Sequence, residues 1–214
     1  MNNAFPYPLY LVLSEKDCTH LHWLEVAEQA IKGGVDIVQL REKNCSFDAY
    51  LRKAKQLKEL TDAHNIPLII NDAVDVAMEV QSWGIHVGRS DMRPSEITQL
   101  PGHPVHIGWS LEVIEQLDSN ELKFVHHLGV SPVFSTPTKT NTITEWGLNG
   151  IRQLKEQTSI PLIAIGGIHS HNAKAVLEAG ADSLAVVSAI CGSKAPLEAA
   201  YQLKQIIHDT QQTV

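Results

Sequence analysis

The chain has 214 residues, and 17 Lys and Arg stand against 24 Asp and Glu, a formal charge of −7. With 43% hydrophobic and 19% charged residues, the composition excludes a disordered chain, and the acidic balance argues against a general nucleic-acid binder, which would carry a basic face. No apolar run approaches the roughly 18 residues that span a bilayer.

Short apolar runs alternate with helix-like patterns along the whole chain. A run at 10–13 precedes a helix over 19–32, which opens at Thr19 as N-cap and closes on Gly33-Gly34. A run at 35–40 precedes a helix over 47–64 with Leu51, Ala54, Leu57 and Leu60 on one face. Runs at 67–71 and 84–87 are followed by shorter helical segments at 73–82 and 94–100, and a run at 105–108 by one at 111–117. A sixth run at 124–128 leads into an irregular stretch, 129–147, rich in Ser, Thr and Pro; a loop that long in a compact domain is usually functional. A helix at 148–157, a run at 161–165, a helix at 170–179 from Ser170 to Gly180, a run at 182–187 and a helix at 197–208 complete the chain.

Near-continuous apolar runs are the pattern of parallel strands buried on both faces. Eight βα units in a chain of this length predict an α/β fold, a single (β/α)8 TIM barrel. A doubly wound open sheet is the alternative. The count of eight and the lack of GxGxxG after the first run favour the barrel. No linker divides the chain, so one domain over 1–214 is expected. Met1 to Pro8 show neither the basic stretch nor the apolar core of a secretory signal. Cys18, Cys45 and Cys191 are widely spaced without a CxxC pair, which fits a reduced, cytoplasmic protein.

Barrel chemistry sits at the carboxyl ends of the strands. After the second run, Gln39, Arg41 and Lys43 alternate and so point the same way; two cations there suit a polyanion, whereas alone they would read as a solvated Arg-Glu-Lys cluster. After the third and fourth runs come Asp72 and Asp91. Singly, each reads as a helix N-cap. Together, at neighbouring strand mouths, they suit Mg²⁺, which takes one or two carboxylates plus substrate phosphates. Ser135-Thr136-Pro137-Thr138-Lys139 offers hydroxyls and a cation. Gly166-Gly167 and Ser188 follow strands seven and eight, where barrels commonly hold phosphate on bare backbone. Two anion sites, and hence two small phosphorylated substrates, are expected. His20/His22, His126/His127 and His169/His171 lack zinc spacing. His86 reads as a packed barrel residue. Trp23, Trp83 and Trp146 read as packing, with Trp109 near a strand mouth.

Five motifs in order, Gln39-Leu40-Arg41-Glu42-Lys43, Ile69-Ile70-Asn71-Asp72, His86-Val87-Gly88 with Asp91-Met92, Thr136-Pro137-Thr138-Lys139 and Ala164-Ile165-Gly166-Gly167-Ile168, closely resemble the thiamine-phosphate synthase family from about Tyr10 to Ile190. The resemblance implies a (β/α)8 barrel that joins 4-amino-5-hydroxymethyl-2-methylpyrimidine diphosphate to 4-methyl-5-(2-phosphoethyl)thiazole with Mg²⁺, releasing diphosphate. It implies Gln39, Arg41, Lys43, Asn71, Ser110 and Lys139 on the pyrimidine diphosphate, with Arg41, Lys43 and Lys139 catalytic. It implies Thr136, Thr138, Gly167, Val187 and Ser188 on the thiazole phosphate, and Asp72 and Asp91 on the metal. The chain departs from the family pattern at Arg89 (usually Gln), Ser131 (usually Gly), Ser135 (usually Pro) and Trp109 (usually smaller). A thiazole tautomerase of the same fold, with a His near the position of Pro132, and a non-catalytic thiazole-phosphate binding barrel are the rival readings. The expected partners are the two substrates, with no nucleic acid or membrane, and a homo-oligomer is left open.

Overall fold

The computed structural model describes residues 5–104, 106–136 and 144–212. Eight parallel strands, β1 (Leu9–Leu13), β2 (Ile37–Leu40), β3 (Leu68–Asn71), β4 (Gly84–Val87), β5 (His106–Leu111), β6 (His127–Val130), β7 (Leu162–Ile165) and β8 (Ser183–Val186), pair in chain order, and β8 returns to β1. This is the expected closed barrel. Outside it lie α1 (Trp23–Lys32), α2 (Phe47–Ala63), α3 (Val74–Glu79), α4 (Pro94–Ile97), α5 (Gly147–Gln157), α6 (Ala173–Glu178), α7 (Ser188–Cys191) and α8 (Pro196–Gln211). Between β5 and β6, two 3-10 turns, Ile114–Asp118 and Asn120–Phe124, stand where a helix was expected at 111–117.

Strand alternation divides two cores. Leu9, Leu11 and Leu13 face the helices, while Tyr10 and Val12 face the barrel axis with Ile37, Ile69, Ile163 and Ala185. An eight-stranded interior is only wide enough for side chains to fill. Phe5 completes the inner cluster at the amino-terminal end, its ring 5.2 Å from that of His127. The axis is therefore packed below and opens at the carboxyl rim.

Some boundaries move, each for a local reason. α1 starts at Trp23 rather than after Thr19, because Glu15–Asp17 forms a 3-10 turn and His22 Nδ1 accepts from Leu24 N at 3.4 Å as the cap. α6 starts at Ala173 rather than near Ser170. Asn172 is engaged by the loop before it, accepting from His169 N and donating to Gly167 O, each at 2.8 Å. β5 continues through Gly108 to Leu111, and β6 lies at His127–Val130 rather than 124–128. Glycine suggests a strand end, but Gly108 and Gly129 are interior positions emptied for imidazoles. A Cβ on Gly108 would sit 2.2 Å from the His127 ring, and one on Gly129 2.8 Å from His86 Cε1.

At the amino-terminal end, Gly34-Val35-Asp36 and Gly180-Ala181-Asp182 build the same joint twice. Each Asp accepts from a backbone N–H of a neighbouring strand, Leu9 at 2.8 Å and Leu162 at 2.9 Å. Each also pairs with a lysine of an outer helix, Lys204 for Asp36 and Lys155 for Asp182. Ser183 Oγ donates to Tyr7 O at 2.7 Å beside them.

Candidate active site

A cavity of about 680 Å³ opens at the carboxyl ends of the strands. Gln39, Arg41, Lys43, Asn71, Asp72, Asp91, Ser110, Thr136, Gly167, Val187 and Ser188 all line it. Thr138 and Lys139 lie outside the described residues.

On the β2–β3 side, period-two alternation turns Gln39 and Arg41 toward the cavity and Glu42 away. Glu42 accepts from Glu15 N at 2.9 Å and pairs with Lys53 at 3.0 Å, tying the loop after β1 to α2. Gln39 is buried and donates through Nε2 to Tyr10 Oη at 2.6 Å. Burial pushes the Tyr10 phenol well above its usual range, so it stays protonated. Asn71 is buried against the cavity, and its Nδ2 has no hydrogen-bond partner among the described residues. A buried donor without an acceptor costs about 1–3 kcal/mol, so this amide is set to meet a ligand oxygen. Tyr50 on α2 holds both strand ends. Its Oη lies 2.8 Å from Leu40 O and 3.0 Å from Asn71 O, sharing one O–H between two carbonyls.

The two carboxylates converge. Asp72 follows β3 with φ +61, a left-handed conformation that Asp tolerates better than most residues. Its N–H continues the ladder to His86 O at 2.8 Å, and its carboxylate pairs with Lys43 Nζ. Asp91 Oδ2 accepts from Gly88 N at 2.8 Å. Neither Asp is a helix cap: the cap position of α3 is Ala73, and α4 is capped at Arg93, whose N–H donates to Glu96 at 3.0 Å. Burial and then the neighbouring Asp72 carboxyl push the Asp91 carboxyl above the usual range. Like charges held this close call for a cation. Among the described residues no third His, Cys, Asp or Glu joins them. That donor set fits Mg²⁺, which accepts two carboxylates and fills its remaining positions with water and phosphate oxygens.

Opposite, Gly166 and Gly167 follow β7 with φ +105 and +65. The loop carrying Thr136 lies directly on them: a Cβ on Gly166 would sit 2.6 Å from Pro132 Cβ, and one on Gly167 2.8 Å from Phe134 Cβ. Val133 N and Phe134 N donate to Ile165 O at 2.9 Å and Gly166 O at 3.1 Å, extending the β6–β7 ladder into the loop. Only glycine fits both the backbone and the space.

Some cavity residues had no role assigned from the sequence: His127 and Glu112 line the cavity. Arg89, a departure from the family pattern, lines it as well. His86, expected as plain packing, reaches the cavity and bonds Ser110 Oγ through Nε2 at 3.0 Å. His126 and His127 point to opposite faces: His127 is buried inside, and His126 Nδ1 accepts from Ile107 N at 3.0 Å outside. Trp23, Trp109 and Trp146 are buried, and Trp83 stacks on His106 with centroids 4.2 Å apart. Paired rings were the only hint of a histidine cluster, since its members come from three strands.

Fold and rim define an enzyme-type (β/α)8 barrel, with its polar cavity built from strand ends. The family profile described as thiamine monophosphate synthase matches residues 9–190. A thiamine-phosphate synthase of Albidiferax ferrireducens is 47% identical over 199 residues, covering 93% of this chain and 91% of that protein. One from Leptospira biflexa is 44% identical over 92% of this chain and 95% of its own. The solved thiamine phosphate pyrophosphorylase of Pyrococcus furiosus superposes with a TM-score of 0.85 at 30% identity, covering 98% of both chains. The chain belongs to the thiamine monophosphate synthase family.

Proposed function

We propose that the protein, acting as one domain over 1–214, is a thiamine-phosphate synthase. It couples 4-amino-5-hydroxymethyl-2-methylpyrimidine diphosphate with 4-methyl-5-(2-phosphoethyl)thiazole. The bond between the pyrimidine methylene carbon and the diphosphate oxygen breaks first. The electron pair leaves with diphosphate, and the amino-pyrimidine delocalises the positive charge. The thiazole nitrogen then donates its lone pair to the methylene carbon, giving thiamine phosphate. This route needs no protein nucleophile, only a stabilised leaving group and two aligned substrates.

The observation that carries the reading is the convergence of Asp72 and Asp91 beside Lys43, in one cavity with Arg41 and the Asn71 amide, whose Nδ2 has no partner among the described residues. Mg²⁺ held by the two carboxylates would supply positive charge to the departing diphosphate. Arg41, Lys43 and Lys139 add charge to the same group. Gln39, Asn71 and Ser110 orient the pyrimidine. Thr136, Thr138, Gly167, Val187 and Ser188 hold the thiazole phosphate. The tautomerase reading fares worse, because its His position is filled by Pro132 and it has no use for a carboxylate pair. No helix among the described residues is long and apolar enough to cross a membrane, and the free Cys18, Cys45 and Cys191 suit a cytoplasmic setting.

Incubation of the purified protein with Mg²⁺ and both substrates should give thiamine phosphate by mass detection and release diphosphate. Binding of the thiazole phosphate without product would favour a binding barrel, and isomerisation of a thiazole tautomer the isomerase. Lys139→Ala should fold normally and lose at least about tenfold in turnover, roughly 1.4 kcal/mol of transition-state stabilisation. Unchanged turnover would remove its assigned role.

A further inference from the structure

Three imidazoles line up inside the barrel behind Ser110. Ser110 Oγ lies 3.0 Å from His86 Nε2. His86 Nδ1 lies 3.2 Å from His127 Nε2, and His127 Nδ1 lies 2.8 Å from His106 Nε2. The rings are nearly parallel, with interplanar angles of 23° and 24°. Space for them is made by missing side chains: a Cβ on Gly108 would fall 2.2 Å from His127 and 2.5 Å from His86 Nδ1. Beyond them, His106 stacks on Trp83 and packs near Phe5 and His126. The Ser110 backbone is fixed separately, its carbonyl accepting from Gln116 Nε2 at 2.9 Å.

We propose that Ser110, His86, His127 and His106 form one directed hydrogen-bond chain that sets how the Ser110 hydroxyl faces the pyrimidine, with His127 as the positioning residue that transmits the direction. A neutral imidazole has one N–H and one lone pair. His86 and His127 each use both ring nitrogens within the chain, so every bond is satisfied in only two proton arrangements. In one, all three rings carry Nδ1–H, Ser110 donates to His86, and the Oγ lone pairs face the cavity. In the other, all three carry Nε2–H, Ser110 accepts from His86, and its proton faces the cavity. A mixed set would place two N–H groups, or two lone pairs, against each other. Burial keeps His127 and His106 neutral, which preserves the single direction. An amino-pyrimidine presents both a donor and acceptors, so the chain selects which of them Ser110 meets. Its catalytic consequence rests on the synthase reading above.

The tautomers are readable without substrate. ¹⁵N spectra of histidine-labelled wild-type protein should show His86, His127 and His106 in the same tautomer, and that tautomer assigns Ser110 as donor or acceptor. Mixed tautomers among the three overturn the proposal. In turnover, His127→Phe keeps a ring but breaks both bonds. It should lower kcat about tenfold, the worth of roughly one hydrogen bond, with the KM for the thiazole phosphate within about twofold. His127→Gln, with one acceptor and one donor, should recover to within about threefold of wild type, which a space-filling role would not require. Wild-type kcat in His127→Phe also overturns the proposal. The spectra need no variant, so they decide the matter even where His127→Phe fails to fold. Absence of thiamine phosphate from the wild type would instead remove the functional reading and leave the tautomer result standing.

Discussion

Asp91 sits half-buried against a second carboxylate, and its raised titration point means that the fold holds it charged at a cost. Asp91→Asn removes that repulsion and one oxygen donor together. The variant should melt at or above the wild-type temperature while needing at least about tenfold more Mg²⁺ for half-maximal turnover, some 1.4 kcal/mol in metal affinity. A lower melting temperature with an unchanged Mg²⁺ requirement would contradict the metal role. Individual residues were legible where the chemistry is local. Gln39, Arg41 and Lys43 alternate within five positions, a spacing that predicts one face, and all three line the cavity although β2 ends at Leu40. The Lys43–Asp72 pair spans 29 residues of sequence, and no local pattern encodes it. Tyr10 and His127 were hidden for the same reason: a buried aromatic or imidazole looks like core until its neighbours across the barrel are known.

Strands were legible in number and order, because two-sided burial gives most of them a near-continuous apolar run; helices were less so, since 111–117 forms 3-10 turns and the short α7 had no signal. Strand ends were also less legible. β5 and β6 pass through Gly108 and Gly129, and a glycine that makes room for a ring is indistinguishable in sequence from one that stops a strand. Coupling between elements was invisible. α2 reaches the rim through the Tyr50 hydroxyl, which joins the last carbonyls of β2 and β3, those of Leu40 and Asn71, and so ties the two strand ends together. Tyr50→Phe leaves the ring and removes those bonds. Urea unfolding should show a loss of about 1 kcal/mol, and the KM for the pyrimidine diphosphate should rise severalfold as the two strand ends loosen. A stability loss with unchanged KM would confine Tyr50 to structure.

Across the whole molecule, the imidazoles inside the barrel tie stability to acidity. Burial pushes His106 down to about 3 and His127 well below the usual histidine value, while the unfolded chain titrates both near 6.5. Below that point the unfolded chain binds protons that the fold refuses. Their contribution is therefore complete above pH 6.5 and is lost as pH falls toward 3, by up to about 1.4 kcal/mol per pH unit for each ring. Urea midpoints at pH 7 and pH 5 should show the loss, and His106→Gln should shrink it; an equal slope in that variant would remove His106 from the effect.

The paired Gly-x-Asp joints bear on how the ring is completed. Asp36 and Asp182 grip β1 and β7, the strands on either side of β8, and Ser183 reaches Tyr7 across 176 positions of sequence. Bringing the first and last strands together spans almost the entire polypeptide, the contact with the greatest entropic cost of closure. Side chains far from the rim thus choose which residue of β8 meets which residue of β1. A slip of one position there would turn Val187 and the start of α7 away from the cavity, so alignment at the floor decides whether the mouth is assembled at all.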